Sequence, residues 1–261
     1  MRPPARLLSL LGLGTPDAPR LVQIMGAGGK TTLMYALAHG MQARGLRVLS
    51  ATTTRIMTPR AEQSPAIVLA RDHDDLPGAV TRALERWGHA TLAQGPAPGG
   101  KLAGVRPEVL DALLARDPGL NIVAECDGAA GRSLKAHRPH EPVLSDGASL
   151  VIIVVGLDVI GAPMDDALVH GSALLAQRIG LTVGATLTLG DVAQTIAGEG
   201  GYLEQVPTAA RCALWTSKLT PARVPTARAL TAALRALPTA ARLERVVAAS
   251  LTEAKRIDAQ P

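Results

Sequence analysis

Two short stretches carry residues whose type and spacing suggest chemistry. The first is Gly26-Ala27-Gly28-Gly29-Lys30-Thr31-Thr32, which follows the apolar run Leu21-Val22-Gln23-Ile24-Met25. A strand that turns sharply into a helix leaves backbone N–H groups aimed at one spot, and glycine lets an anion approach them. Phosphate suits such a nest, with Lys30 reaching β- and γ-phosphates and the Thr31 hydroxyl reaching Mg²⁺. The second stretch is Glu125-Cys126-Asp127, which closes the apolar run Leu120-Asn121-Ile122-Val123-Ala124. A carboxylate at the end of a buried strand is placed to hold Mg²⁺ directly or through water. Glu125 and Asp127 alternate along an extended chain and share one face.

The loop falls short of G-x-x-x-x-G-K-[ST], because Ile24 stands five residues before Gly29. What remains, G-x-x-G-K-T-T, is similar to the shorter loop of Mur-type amide ligases. Other residues gather at the ends of predicted strands. Strand 46–51 runs into Thr52-Thr53-Thr54-Arg55, and Thr53 and Thr54 are candidate contacts for the γ-phosphate, Mg²⁺ or a second substrate. The chain has only five lysines, at positions 30, 101, 135, 218 and 255, against 22 arginines. A lysine kept where arginine is so freely used hints that a compact ammonium is wanted, so Lys101 and Lys135 join the candidates. His137 and His140 read as polar loop histidines, since the proline between them breaks helical spacing. Strand 150–155 leads to Asp158, another carboxylate at a strand end. Strand 211–215 leads to Thr216-Ser217-Lys218, where guanine-reading proteins carry Asn-Lys-x-Asp, so ATP and GTP both remain open.

These residues need elements to hold them. Apolar runs at 21–25, 46–51, 66–70, 120–124, 150–155 and 211–215 read as buried parallel strands. Helical patterns at 31–44, 74–87, 107–115, 164–179 and 191–197 alternate with them. A short helix is expected near 7–13, ahead of Thr15-Pro16-Asp17. Residues 94–101 hold too many breakers for an element, and 222–255 reads as Ala/Arg/Leu helix with proline breaks. The expectation is a three-layer α/β fold with a mostly parallel sheet, P-loop NTPase-like, as a single nucleotide-binding domain over 1–261.

Composition narrows the class. Aromatic residues make up 2% and Phe is absent, so stacking platforms for single-stranded nucleic acid are missing despite a net charge of +5. No apolar run approaches the ~20 residues of a membrane span. Two cysteines make no disulfide framework, which points to the cytoplasm.

The chain resembles the YqeC-like selenium-dependent hydroxylase accessory family, also called selenium cofactor biosynthesis proteins. The matching stretches are GAGGKTT (26–32), RVLSATTTRI (47–56), KLAG (101–104), ECDGAAGRSLKAHRPHEPV (125–143), GLDVIG (156–161) and GGYLEQVP (200–207). The resemblance implies a P-loop nucleotide-binding fold and a role in maturing selenium-dependent molybdenum hydroxylases, with such an enzyme or its cofactor as partner. On that basis Lys30, Glu125, Asp127 and Lys135 are the catalytic candidates, and Gly26 to Thr32, Thr53, Thr54 and Lys101 the nucleotide-binding ones. Thr31 and Glu125 are the metal candidates. The chain departs from the family at Cys126, where Ala is usual, at Gly171, where Arg is usual, and at Thr216-Ser217-Lys218, which lacks an Asn. Cys126 therefore reads as a packing residue. Two functions fit: NTP hydrolysis or phosphoryl and ligation chemistry, or a nucleotide-gated switch or chaperone that binds the hydroxylase partner or its cofactor.

Overall fold

A computed structural model describes residues 3–13, 15 and 18–249. After α1 (Pro3–Leu10), the chain enters β1 (Leu21–Gly26), α2 (Lys30–Gln42) and β2 (Arg47–Thr52). A two-residue strand β3 (Ile56–Met57) and β4 (Ile67–Leu69) precede α3 (Leu76–Trp87). Next come β5 (His89–Ala93), β6 (Gly95–Ala97), β7 (Lys101–Ala103), α4 (Pro107–Arg116) and β8 (Leu120–Glu125). The second half contains β9 (Leu134–Lys135), β10 (Leu150–Gly156), β11 (Val169–His170), α5 (Ser172–Ile179) and α6 (Leu189–Ala197). It closes with β12 (Arg211–Ser217), α7 (Val224–Arg235) and β13 (Leu243–Ala248).

Eight strands pair in the order β13-β12-β10-β1-β8-β2-β5-β4. The pairings β1–β8, β8–β2, β2–β5, β5–β4 and β12–β13 are all parallel. The chain is thus α/β with a large, mostly parallel sheet, an arrangement compatible with three layers. Parallel strands covered on both faces are largely apolar, and β1, β5 and β10 are buried at every residue, with Gln23, His89 and Thr91 as their polar members.

The chain divides into two compact units. The first takes residues up to Ile24, Thr31–Gly128 and Val143–Leu150. Its core joins Leu49, Ile122 and Ala124 of the strands to Val80 and Leu84 of α3 and Leu110 and Leu113 of α4. Each such aliphatic side chain contributes roughly 1.5–3 kcal/mol by leaving water. The second unit takes Met25–Lys30, Ala129–Pro142 and the chain from Val151 onward. It holds α5 to α7, and a capping box between Thr188 and Asp191 starts α6.

Three expectations from sequence are corrected. Residues 94–101 form a hairpin, in which β6 and β7 pair antiparallel and β7 pairs in turn with β3. Pro96 lies on the outer strand of that small sheet, where no N–H is required, and Gly99 and Gly100 turn with φ of 75° and 68°. The helix expected over 164–179 is confined to α5, because Gly171 adopts φ 77° and Asp166 takes hydrogen bonds from both the amide and hydroxyl of Ser172. The helix expected over 222–255 stops at Arg235 and gives way to β13. Positions 250–255 of that expectation, with Lys255, lie outside the described residues, as do Pro16 and Asp17.

Candidate functional site

The glycine loop turns where the sequence places it. Gly26, Gly28 and Gly29 have φ of 93°, 105° and 109°, and α2 starts at Lys30. These left-handed values are open to glycine and strained for other residues. Two of the three glycines are also needed for close packing. A Cβ on Gly26 would lie 2.3 Å from the Val154 carbonyl oxygen, and one on Gly28 would lie 2.8 Å from both Gly156 N and Ser217 Oγ. The amide of Ala27 donates to the same Val154 carbonyl at 2.8 Å, which pins the loop to β10. A Cβ on Gly29 would meet nothing within 4 Å. Lys30 is buried, and its Nζ donates to the Gly26 carbonyl at 2.6 Å, so the ammonium curls over the loop that precedes it. Left-handed turns feeding a helix N-terminus make the amide concavity that suits an anion.

In the first unit, Thr31 Oγ1 donates to Glu125 Oε2 at 2.6 Å. A hydroxyl and a carboxylate separated by 94 residues of chain thus meet at the start of α2. The threonines ending β2 hold the end of β8. Thr52 pairs in register with Glu125, and both Thr52 Oγ1 and Thr53 N donate to the Glu125 carbonyl, at 3.2 and 3.1 Å. Thr53 Oγ1 donates to the Val143 carbonyl at 2.7 Å, and Thr54 N donates back to Thr52 Oγ1. Glu125 and Asp127 are both buried. Between them Cys126 sits in the core, its thiol pushed up to about 12 by burial. Burial of this kind disfavours the thiolate and suits a packing residue. Thr32 and Lys101 are exposed and Thr54 is half-buried.

In the second unit Lys135 is fully buried and forms an ion pair with Glu141 Oε2 at 3.0 Å. Tyr202 clamps its backbone, donating to the Lys135 carbonyl and accepting from the Lys135 amide at 3.1 Å. His137, expected as a polar loop histidine, is instead buried, with its ring edge-on to Tyr202 at 4.8 Å between centroids. Burial, followed by the positive charge of Lys135, holds His170 below the ordinary histidine range. A further cluster joins Ser133, Asp158 and Lys218. Lys218 Nζ lies 2.7 Å from Asp158 Oδ2 and 2.5 Å from Ser133 Oγ.

A family model described as "YqeC protein" matches residues 22–173. The chain belongs to the YqeC family. It is 36% identical over 203 residues to the Escherichia coli (strain K12) protein named "Uncharacterized protein YqeC", an alignment covering 77% of each chain. No solved structure matches the chain.

The YqeC-family segment contains the loop, Thr31, Thr53, Thr54, Lys101, Glu125, Asp127, Lys135 and Asp158, and it ends before Tyr202 and Lys218. Sequence reasoning missed Glu141 as the partner of Lys135 and Tyr202 as its clamp. The signals for Tyr202 are its place in the family-like stretch GGYLEQVP and its being one of two tyrosines in the chain. Ser133 was likewise not singled out, and nothing in its local sequence announces contact with Lys218, 85 residues away. Among the described residues, no group of three or more His, Cys, Asp or Glu side chains is placed to hold a metal ion, and no helix is long and apolar enough to cross a membrane.

Proposed function

We propose that this YqeC-family chain is a P-loop NTPase-like protein that binds ATP or GTP with Mg²⁺. We further propose that it uses the nucleotide in maturing selenium-dependent molybdenum hydroxylases, by hydrolysis or by phosphoryl or ligation chemistry. The observation that carries the nucleotide half is the loop itself: three left-handed glycines, a helix starting at Lys30, and a buried ammonium curled back onto the Gly26 carbonyl. The hydroxylase half rests on the resemblance of the stretches quoted above.

The residues present fit Mg²⁺ accompanied by a nucleotide. Mg²⁺ keeps several waters and takes one or two protein oxygens alongside phosphate oxygens, so it needs no all-protein cage. A hydroxyl and a carboxylate oxygen 2.6 Å apart, at Thr31 and Glu125, supply such a pair. These two would hold the ion, which when bound neutralises charge on the phosphates. The loop amides and Lys30 would bind and orient the polyphosphate. Thr52 and Thr53 act one step back: the Thr52 hydroxyl holds the Glu125 carbonyl, and the Thr53 hydroxyl holds Val143, whose amide donates to the Cys126 carbonyl. Lys135 already faces a carboxylate, so its part in the reaction is to hold the 134–141 segment in shape.

Calorimetry with MgATP and MgGTP tests this reading. Lys30→Ala is expected to weaken binding by about 100-fold or more while the thermal transition persists, since removing a buried charged contact costs several kcal/mol. Unchanged affinity rejects the loop as the binding site. Glu125→Gln is expected to keep nucleotide and lose Mg²⁺-dependent turnover. Turnover that appears only with a hydroxylase partner would favour the switch over the enzyme.

A further inference from the structure

We propose that Asp158, set by Ser133 and Lys218, forms a nucleoside-recognition site beside the glycine loop. In this site Asp158 Oδ1 accepts a hydrogen bond from a ribose hydroxyl or a base N–H of the bound nucleotide. The inference rests on the polyphosphate reading above and adds the other half of the ligand.

The two oxygens of Asp158 are used very differently. Oδ2 takes the Lys218 ammonium at 2.7 Å and the Ser133 hydroxyl at 3.1 Å, and the same ammonium donates to Ser133 Oγ. Oδ1 is buried and has no hydrogen-bond partner. A buried carboxylate oxygen left without a donor is costly, and such atoms in folded proteins ask for a water, an ion or a ligand. The two donors that reach Asp158, the Lys218 ammonium and the Ser133 hydroxyl, both go to the other oxygen.

Its position says which ligand. A Cβ on Gly156 would fall 2.5 Å from Oδ1, so this oxygen lies against the bare Cα of Gly156. Gly156 N in turn lies 2.8 Å from where a Cβ on Gly28 would stand. Gly28, Gly156 and the Asp158 carboxylate are therefore close neighbours, with Ser217 Oγ beside the first and the Ser133 side chain beside the second. A carboxylate oxygen would repel phosphate, so the part of a nucleotide that it can face is the neutral, donor-bearing half. Ribose hydroxyls and base N–H groups have that chemistry.

Lys218 adds a second observation. It holds φ 58°, left-handed for a residue with a side chain, and such strain persists where the surroundings require it. The backbone is held there by Arg223, which donates to the Lys218 carbonyl at 3.2 Å. With the ammonium fixed on Asp158 and Ser133, the side chain still has 41% of its surface exposed, and in this proposal its methylene stem serves as the apolar wall for a base. Acceptor and wall lie on the strand ends of β10 and β12, where open α/β sheets bind ligands.

The full chain is tested by calorimetry with MgATP, MgGTP and inorganic tripolyphosphate. The wild type is expected to bind one nucleoside triphosphate more tightly than tripolyphosphate. Asp158→Asn is expected to weaken that nucleotide about tenfold or more, the loss of a hydrogen bond to a charged acceptor, and to leave tripolyphosphate within about twofold. Equal weakening of both ligands, or no weakening of either, overturns the site, and so does a wild type that prefers tripolyphosphate. A wild type that binds none of the three ligands removes the polyphosphate reading as well. Triphosphates lacking the 2′- or 3′-hydroxyl locate the donor: a loss seen in the wild type and absent in Asp158→Asn assigns the ribose, and no loss assigns the base. Should Asp158→Asn not fold, Ser133→Ala takes its place, with a smaller loss of the same selectivity expected; equal shifts in the affinities for nucleotide and for tripolyphosphate, or no shift in either, overturn the site.

Discussion

The glycine loop and the threonine rim both looked like ligand contacts in the sequence, and the fold uses them in opposite ways. At the rim two of the three threonine hydroxyls already donate within the fold. Thr52 donates to the Glu125 carbonyl and Thr53 to the Val143 carbonyl, so both stitch β2 to the chain on either side of the carboxylates. In the loop the packing is done by what is missing: Gly26 and Gly28 approach β10 and the end of β12 where a Cβ would collide, and Gly29 faces open space. Residues that can make hydrogen bonds are not thereby available to a ligand. A residue with no side chain can be the more specific sign of one.

The largest expected effect separates packing from binding inside the loop. Gly26→Ala puts a methyl group into the Val154 carbonyl at a left-handed φ, and should cost about 3 kcal/mol or more in denaturant unfolding. Gly29→Ala meets no atom, so it should cost only ~1–2 kcal/mol from backbone strain while lowering nucleotide affinity far more than stability. Equal losses of stability in the two variants would erase the distinction drawn within the loop.

Next in size is a pH effect on the strand that carries the rim. His89 on β5 is buried, bonds Ser50 of β2 at 2.8 Å, and has its pKa lowered to about 4, first by burial and then by His39. An unfolded histidine takes its proton near 6.5, so protons favour the unfolded chain between 6.5 and 4. Stability present above pH 6.5 should fall by ~3 kcal/mol as pH drops to 4, with the lowered pKa of His170 acting in the same sense. Urea titrations at pH 7 and 4.5 read this directly, and His89→Gln should flatten the slope. A slope that survives the substitution would assign the acid sensitivity elsewhere.

Smaller still is Thr53→Val, which leaves the Val143 carbonyl without its donor. It should lose about 1–3 kcal/mol of stability, with nucleotide affinity changed by less than about threefold. A large loss of affinity at unchanged stability would return Thr53 to the ligand. The smallest effect belongs to Cys126. Its thiol, held near 12, should resist alkylation by iodoacetamide in the native protein at pH 8 and react only after unfolding.

The sheet and loop were legible because their signals are local. Short, β-branched apolar runs such as Leu150 to Val155 read as buried strands, and a glycine cluster between such a run and a helix has few other uses. What was missed depends on partners remote in sequence. β13 reads Leu-Glu-Arg-Val-Val-Ala, whose exposed Glu244 and Arg245 blend into the preceding helix composition; its identity as a strand comes from pairing with β12. The β6–β7 hairpin hides behind prolines and glycines that an outer strand and its turn tolerate. Lys135 was picked out for its ammonium, but Tyr202, which clamps its backbone, and Glu141, which pairs with the ammonium, lie 67 and 6 residues away and follow no spacing rule.

One boundary has a practical corollary. The stretch Met25–Lys30 belongs to the same compact unit as Val154 and Gly156, against which Gly26 and Gly28 pack. A fragment ending at Leu150 would keep every letter of the glycine signature and lose the wall that shapes it. Such a truncation should be blind to triphosphate even if its own strands and helices assemble, so possession of the signature by a shortened paralogue or splice product would say nothing about its competence.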